Sequence, residues 1–296
     1  MGKIDEAREV LARVPGWETL ARTVELRPLP GGLTNASFTF EVDGEACRLR
    51  LSGGNTALLG IDREAEFAAL SAAARAGLAP EAVAFVRPEG HLVSRFVPGT
   101  VWTAEELRRP ETMTSAARAL RRAHTLPPVP HAFSPLNDVV RRLEAARAQG
   151  IPLPDDADAL AAEGRALVRE FWCRPGPDRG LCHGDPFPGN FIGLESGEVY
   201  LIDWEYAGMG DVFYDLACLA SSYPPEARPS LLAAYFDGPP PEGAQEKLAA
   251  MRRLSQLWNW TWALIQARSP DGTEEHARAA ESLLAAVRAG RRPATE

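Results

Sequence analysis

Lysine is almost absent from this sequence, and the overall charge is negative. Only Lys3 and Lys247 are lysines among 296 residues, and the formal net charge at pH 7 is −8. Nucleic acid is bound by concentrated positive charge, so we do not expect it to be the main partner. A cationic or neutral ligand suits this composition better.

Paired cysteines and long apolar runs are also missing. The four cysteines contain no C-x-x-C pair, so the sequence predicts neither a disulfide framework nor a zinc site. The N-terminal residues lack the basic and apolar regions of a secretion signal, and no stretch approaches the roughly 20 apolar residues of a membrane span. We therefore expect a protein of the reducing cytoplasm without a membrane partner. The cysteines are Cys47, Cys173, Cys182 and Cys218.

The residues that are present divide the chain into a β-rich first part and a helical second part. Alternation typical of strands occupies 23–51, a helix begins near Asp62, and two more strands precede Pro98. Beyond that point the periodicity is that of long helices, interrupted by a short β-rich segment at about 180–204. Helices are predicted at about 4–14, 62–76, 103–125, 136–149, 156–173, 226–236, 245–268 and 273–289.

We predict an α+β protein with two lobes. A composition of 45% apolar and 24% charged residues is enough for a sizeable core. The smaller, β-rich lobe would comprise residues 1–97, and the larger, mainly helical lobe residues 98–296. The break at Val97-Pro98-Gly99 is the predicted hinge.

Two polar segments, LCHGDPFPGNFIG at 181–193 and LIDWEYAG at 201–208, carry the strongest chemical signal. Asp185 and Asn190 stand five residues apart across a loop containing proline and glycine, and Asp203 ends a short apolar strand. Their oxygens suit Mg²⁺, a hard cation that takes few protein ligands beside phosphate and water. Taken singly, each residue is equally typical of a turn or cap, whereas the ordered set predicts phosphoryl transfer.

The histidines are interpreted as structural. His183, with Gly184, would hold the loop before Asp185 in a tight turn, because no second histidine or cysteine stands at metal-binding spacing. His124 and His131 are expected on solvated helix faces or at helix ends, without chemistry. The same expectation covers the arginine clusters at 108–109, 121–122 and 141–142.

The pattern HGD-x-x-x-x-N followed by IDWEYAG-x-GD-x-x-x-DLA resembles the choline/ethanolamine kinase family, within the aminoglycoside-phosphotransferase and protein-kinase-like superfamily. The resemblance implies a two-lobed protein-kinase-like fold that uses ATP and Mg²⁺ to phosphorylate a small-molecule alcohol. It implies that Asp185 is the catalytic base and that Asn190 and Asp203 are the magnesium ligands. Asp211 and Asp215 would brace the catalytic loop.

The first lobe is similar to the family's nucleotide-binding half. The segment GGLTNASF at 31–38 resembles the turn that covers the phosphates of ATP, and SRFVPG at 94–99 resembles the hinge whose backbone receives adenine. Backbone amides of such a turn can cap phosphates. The residues so assigned to ATP are Gly31, Gly32, Asn35, Ser37, Arg95 and Val97.

The shortage of lysine bears on the cation that neutralises phosphate. Neither lysine lies in the strand where kinases present that residue, and Arg50 occupies the corresponding place, as arginine does in choline kinases. Glu66 is predicted as its partner in preference to Glu64, because it completes the family's R-x-x-E pattern with Arg63. Arg48 could replace Arg50 if the strand register slips by two, since both side chains point to one face.

The segment SQLWNWTWALIQA at 255–267 points to the acceptor. On a helix Trp258 and Trp262 share a face while Trp260 points away, and an indole face attracts a quaternary ammonium. Tyr206 could add to this aromatic wall, and Glu205 could offset the positive charge. These features favour choline, although tryptophans at helical spacing are also common core residues.

Other acceptors remain open. In the family this helix carries a W-x-x-W pair, whose first position is Asn259 here. Asn259 would suit a smaller, more polar acceptor such as ethanolamine, or Trp258 would fill the space from the neighbouring turn. An aminoglycoside, thiamine or sugar kinase would keep the same chemistry with another acceptor. A pseudokinase that binds nucleotide without turnover is the alternative from another class.

Overall fold

The computed structural model describes residues 2–30, 35–54, 56–172, 178–268 and 272–290. Within them the helices are α1 (Lys3–Ala12), α2 (Glu18–Thr23), α3 (Thr56–Leu59), α4 (Arg63–Arg75), α5 (Ala104–Leu107), α6 (Pro110–His124), α7 (Pro135–Ala148), α8 (Ala157–Leu167), α9 (Val212–Ala220), α10 (Arg228–Phe236), α11 (Ala244–Gln266) and α12 (Glu274–Ala289). The strands are β1 (Arg27–Leu29), β2 (Ala36–Val42), β3 (Glu45–Leu51), β4 (Ala82–Val86), β5 (His91–Arg95), β6 (Thr100–Val101), β7 (Arg179–Cys182), β8 (Phe191–Gly193), β9 (Val199–Leu201) and β10 (Gly208–Asp211).

An antiparallel five-stranded sheet forms the first part of the molecule, in the order β1-β2-β3-β5-β4. The β2–β3 turn has positive φ at Asp43 (54°) and Gly44 (79°), the conformation that a tight hairpin needs. The register places Arg50 of β3 opposite Ser37 of β2 and Leu92 of β5. Arg50 therefore points from the middle of the sheet rather than from an edge.

Two small sheets hold the polar segments of the second part. Strands β6, β8 and β9 form one, and β7 pairs with β10 in the other. The loop between β7 and β8 contains Asp185 and Asn190, and Asp203 follows β9. The short β-rich segment predicted from the sequence is thus the scaffold that brings these residues together.

The main hydrophobic core joins these small sheets to the helices of the second part. Trp204 and Trp260 are among its largest fully buried side chains. The same core extends into α4 and β5 through Leu70 and Leu92, while a second apolar cluster lies within residues 7–93. Residues of the first part are therefore packed against the second part as well as against each other.

Several predicted boundaries differ from the structure. The helix predicted at 103–125 is divided into α5 and α6, because Thr103 caps one helix and Pro110 begins the next. The helix predicted at 156–173 changes to a π-helical turn at Val168–Trp172. Among the described residues, no helix combines the length and apolarity needed to cross a membrane.

Candidate active site

The loop between β7 and β8 brings Asp185 and Asn190 into direct contact. The Asn190 amide Nδ2 donates to the Asp185 backbone oxygen at 2.8 Å and to its Oδ2 at 3.1 Å. Gly184 has φ +83°, and a Cβ there would lie 2.5 Å from the Tyr206 carbonyl oxygen. Only glycine fits this turn without displacing the loop.

Asp215 on α9 holds the start of this loop. Its Oδ2 accepts from the His183 backbone N–H at 2.6 Å, and its Oδ1 accepts from the Gly184 N–H at 2.9 Å. The His183 ring bonds to the Ile202 carbonyl through Nε2 at 2.9 Å and accepts from the Asp185 N–H through Nδ1. Burial lowers the pKa of His183, which suits a neutral, structural ring.

His124 corrects the expectation of a solvated helix-end histidine. It is buried, its Nε2 lies 3.0 Å from Asp215 Oδ2, and its Nδ1 lies 2.7 Å from the Tyr235 hydroxyl. The signal for this burial is in the sequence, because His124 follows Leu120 by four residues on the apolar face of α6. His124 thus orients the carboxylate that holds the loop.

Asp215 contacts the loop directly, whereas Asp211 contacts the start of α9 and Lys247. Asp211 Oδ1 accepts from the Phe213 N–H at 3.0 Å and caps α9, and its Oδ2 is 2.7 Å from Lys247 Nζ. These contacts fix the helix that carries Asp215, so Asp211 supports the loop through α9. The sequence assigned no contact to Lys247.

Asp203 has the features of a metal ligand. Its φ is +66°, uncommon for a residue other than glycine, and its buried Oδ1 has no hydrogen-bond partner among the described residues. It lines a cavity of about 400 Å³ together with Asp185 and Asn190. Burial raises the pKa of Asp185, and the nearby Asp203 and Glu205 carboxylates raise it further. This concentration of negative charge fits a hard divalent cation.

A buried ion-pair network crosses from the first sheet towards this cavity. Arg50 is 4% exposed and pairs with Glu66 through both terminal nitrogens, one at 3.0 Å. Burial disfavours the charged guanidinium, but the Glu66 carboxylate raises its pKa above the usual range. Glu64 is on the surface of α4, paired with Arg87.

Arg63 links Glu66 to Glu205. Arg63 Nη1 lies 2.8 Å from Glu66 Oε2 and 3.0 Å from Glu205 Oε2, and Asn35 Nδ2 donates to the same Glu205 oxygen at 3.0 Å. Burial raises the pKa of Glu205 to about 7. Glu205 lines the cavity, but this oxygen is bound by Arg63 of α4 and by Asn35 instead of being open to an acceptor.

A larger cavity of about 890 Å³ lies at the predicted hinge. Arg95 and Val97 both line it, with Glu81, Tyr200 and backbone near Gly99. The Arg95 N–H donates to the Glu81 carbonyl at 2.9 Å. The Val97 N–H has no partner among the described residues, so it is available to a ligand.

Two residues of the predicted phosphate-covering turn contact other protein groups, and two lie outside the described residues. Gly31 and Gly32 lie outside the described residues. Asn35 Oδ1 accepts from the Gly53 N–H at 3.0 Å, and the Ser37 hydroxyl accepts from Arg48. Both polar side chains therefore fix neighbouring protein groups.

Trp262 and Tyr206 form part of the aromatic wall of the 400 Å³ cavity. Trp262 is half-buried and its Nε1 donates to the Tyr206 hydroxyl at 3.0 Å. Trp260 lies in the core on the opposite side of α11. Asn259 also lines the cavity, with its amide nitrogen bound to the Ser255 carbonyl at 2.9 Å.

Trp258 lines the cavity and is held in place by contacts with α7. It is 2% exposed, its Nε1 donates to Asp138 Oδ2 at 2.9 Å, and the Arg142 guanidinium stacks 4.2 Å from its ring centroid. Arg142 is fully buried and donates to the Leu59 carbonyl at 2.7 Å. It corrects the expectation that the arginines at 141–142 are solvated.

Comparison with known proteins identifies the family of this chain. The model of the APH family, described as a phosphotransferase enzyme family, matches residues 25–254. A choline/ethanolamine kinase family protein from Mesorhizobium loti has 27% identity and a TM-score of 0.78, covering 98% of this chain and 95% of that chain. Protein LicA of Haemophilus influenzae is 25% identical over 213 residues, which are 70% of this chain but only 59% of that protein.

Lower identities show the fold alone. Choline kinase LicA from Streptococcus pneumoniae has a TM-score of 0.75 at 22% identity, covering 92% of this chain and 97% of that chain. A structure of LicA in complex with AMP has a TM-score of 0.73 at 21% identity, covering 90% of this chain and 93% of that chain.

The predicted α+β, protein-kinase-like fold is confirmed. The chain belongs to the phosphotransferase enzyme family, and its fold is similar to that of choline/ethanolamine kinases.

Proposed function

We propose that this protein transfers the γ-phosphate of ATP to the hydroxyl group of a small amino alcohol, with choline as the leading acceptor. The observation that carries the proposal is a single cavity in which Asp185, Asn190 and Asp203 face an aromatic wall containing Trp262. The first three residues suit phosphoryl transfer, and the wall suits a cationic acceptor.

Asp185 is the proposed catalytic base. It orients the acceptor hydroxyl and takes its proton as the oxygen attacks the γ-phosphorus. The bond from Asn190 Nδ2 to Asp185 Oδ2 fixes the carboxylate, and the Asp215 contacts fix the backbone before it.

Asn190 and Asp203 are the proposed magnesium ligands. The Oδ1 of Asp203, which accepts no hydrogen bond from the described residues, and the side-chain oxygen of Asn190 are the ligand type that Mg²⁺ takes. When bound there, Mg²⁺ would supply positive charge to the phosphates of ATP. Arg50, held by Glu66, adds a fixed cation on the nucleotide side.

The hinge cavity is the proposed site of adenine. The free N–H of Val97 offers a hydrogen bond to a base edge, and Arg95 borders the same space. We retain residues 1–97 as the proposed nucleotide-binding lobe and residues 98–296 as the proposed catalytic lobe. The structure of LicA with AMP supports the choice of an adenine nucleotide.

The aromatic residues favour Trp262 as the main contact of a quaternary ammonium. Trp258 already has the Arg142 cation over its ring, whereas no cation stacks on Trp262 among the described residues. Tyr206 is locked beside Trp262 by their hydrogen bond. A cavity of about 400 Å³ suits choline better than a bulky aminoglycoside.

Asn259 supports ethanolamine as a second candidate acceptor. Both bonds of its amide nitrogen go back to Ser255, at 2.9 and 3.2 Å. Its carbonyl oxygen is then free to accept from a primary ammonium, which choline does not have. Ethanolamine would use the same phosphoryl-transfer residues.

The test is release of ADP, measured by a coupled assay with ATP and Mg²⁺ and with choline, ethanolamine, thiamine or kanamycin. We expect turnover with choline, lost by at least about 100-fold in Asp185→Asn because a catalytic base contributes 10²–10⁴-fold. Turnover only with another acceptor would keep the kinase and remove choline. Nucleotide binding without turnover on any acceptor would favour the pseudokinase instead.

A further inference from the structure

Arg48 is a second arginine on the same face of β3 as Arg50, in a different environment. Arg50 is committed to Glu66. Arg48 is half-buried and donates through Nε and Nη2 to the Ser37 hydroxyl, at 3.2 and 3.0 Å. Across the described residues it takes part in no ion pair. Burial lowers the pKa of the guanidinium, while the Asp203 carboxylate acts on this charge through space and raises that pKa.

Arg48 lines two cavities of the protein. One is the 400 Å³ cavity with Asp185 and Trp262. The other is a narrow space of about 20 Å³ lined by Arg50 and Glu66. Arg48 and Asp203 line both, so Arg48 lies between the candidate catalytic residues and the Arg50–Glu66 pair.

In the proposed reaction a phosphoryl group passes from nucleotide to acceptor beside Asp185 and Asp203, in the 400 Å³ cavity that Arg48 also lines. It carries negative charge on three oxygens that do not form or break bonds. A guanidinium presents several N–H donors in one plane and suits such oxygens better than an ammonium does. Arg48 Nη1 makes no hydrogen bond among the described residues and is free for this contact.

We propose that Arg48 binds the γ-phosphoryl group of ATP during transfer, a role separate from that of Arg50. The proposal rests on the proposed kinase function. The acceptor oxygen forms a bond to the γ-phosphorus while the bond to the β–γ bridging oxygen breaks. The electron pair of that bond stays on ADP, and the hydroxyl proton goes to Asp185. Arg48 neutralises the oxygens of the moving group and exchanges no proton.

Ser37 is the positioning residue for Arg48. Its hydroxyl is buried and accepts from two nitrogens of the guanidinium, which fixes the plane of the group. The sequence assigned Ser37 to direct phosphate contact, whereas its observed contact is with Arg48. Ser37→Ala would loosen Arg48, and Ser37→Thr would keep the hydroxyl.

The test compares binding of AMP, ADP and the non-hydrolysable analogue AMP-PNP by calorimetry with Mg²⁺, without relying on turnover. Arg48→Gln should weaken the binding of AMP-PNP by about 10- to 100-fold, which corresponds to the loss of a hydrogen bond to a charged group. The binding of AMP should stay unchanged. Arg48→Lys and Ser37→Ala should give smaller losses, and Ser37→Thr should restore AMP-PNP binding. Arg22→Gln, an exposed change on α2, is the control that should bind all three nucleotides normally.

The outcomes separate this proposal from the proposed function. If the unmodified protein binds AMP-PNP and releases ADP with an acceptor, but Arg48→Gln binds AMP-PNP normally, the role of Arg48 is wrong and the kinase stands. If the binding of all three nucleotides is weakened equally, the role of Arg48 is also wrong, because that result indicates a general effect on the sheet. Absence of any nucleotide binding by the unmodified protein would contradict the proposed function itself.

Discussion

Glu66 lies between two buried guanidinium groups, those of Arg50 and Arg63. Each of these three side chains is at most 8% exposed. Buried charges are tolerated when their partners are close, and removal of one partner leaves an uncompensated charge. Glu66 is therefore expected to matter for stability as well as for the position of Arg50.

Glu66→Gln should lower the free energy of unfolding by about 3–5 kcal/mol, as measured for broken buried ion pairs. Urea unfolding followed by circular dichroism would measure the change. Glu64→Gln on the same helix is the matched control, because Glu64 pairs with Arg87 on the surface and should leave the midpoint almost unchanged. Equal effects of the two substitutions would contradict the assignment of Glu66.

Residue order was enough to find some of the site but not all of it. Asp185, Asn190 and Asp203 were recognisable because they stand in one short motif, and the structure brings them to one cavity. The environments of His124 and Arg142 were missed. The place of His124 on the apolar face of α6 indicated its burial, but the partners of both residues, Tyr235 and Leu59 among them, come from distant helices. Local sequence does not identify those partners.

At the scale of elements, α11 shows what helical periodicity can predict and what it cannot. The spacing correctly separates Trp258 and Trp262 from Trp260, which lies in the core. It does not distinguish the two tryptophans on the shared face. That difference comes from α7, which supplies Asp138 and Arg142 to Trp258.

Trp262→Ala should raise KM for choline about 10-fold through the loss of a cation–π contact, with kcat changed less. Trp258→Ala should instead lower the free energy of unfolding by about 3–5 kcal/mol, since it empties a packed site in the core. Steady-state kinetics and thermal unfolding of both variants would measure the two effects. The reverse result, with Trp258 governing KM and Trp262 stability, would contradict the assigned acceptor wall.

Secondary-structure boundaries were less predictable than the elements themselves. The helix expected at 103–125 is interrupted before Pro110, which lacks the N–H that an unbroken helix would need. No local signal predicted the π-helical turn at Val168–Trp172. The β-hairpin at Asp43-Gly44, by contrast, was fixed by turn chemistry alone.

At the scale of the whole molecule, negative charge from the second part faces basic residues of the first. Asp185, Asp203 and Glu205 lie on one side of the cleft, and Arg48 and Arg50 extend from the sheet. A polyphosphate that enters this space is repelled by the carboxylates unless a divalent cation accompanies it. Nucleotide binding is therefore expected to depend on Mg²⁺.

AMP-PNP with Mg²⁺ should raise the Tm more than AMP-PNP with EDTA. A ligand at 100 times its Kd stabilises the folded state by about 2.7 kcal/mol, enough to detect by differential scanning fluorimetry. The Mg²⁺-dependent part of the rise should be lost in Asp203→Asn, which removes the charge of the proposed ligand. The same rise in EDTA as in Mg²⁺ would count against a metal at Asp203.

The most direct test of the account is ³¹P nuclear magnetic resonance of the protein mixed with ATP, Mg²⁺ and choline. A phosphomonoester signal should grow in step with ADP, and Asp185→Asn should slow its growth at least about 100-fold by removing the proposed base. Loss of the γ-phosphate as inorganic phosphate alone, or a phosphomonoester signal that grows equally fast in Asp185→Asn, would contradict transfer to a choline hydroxyl activated by Asp185.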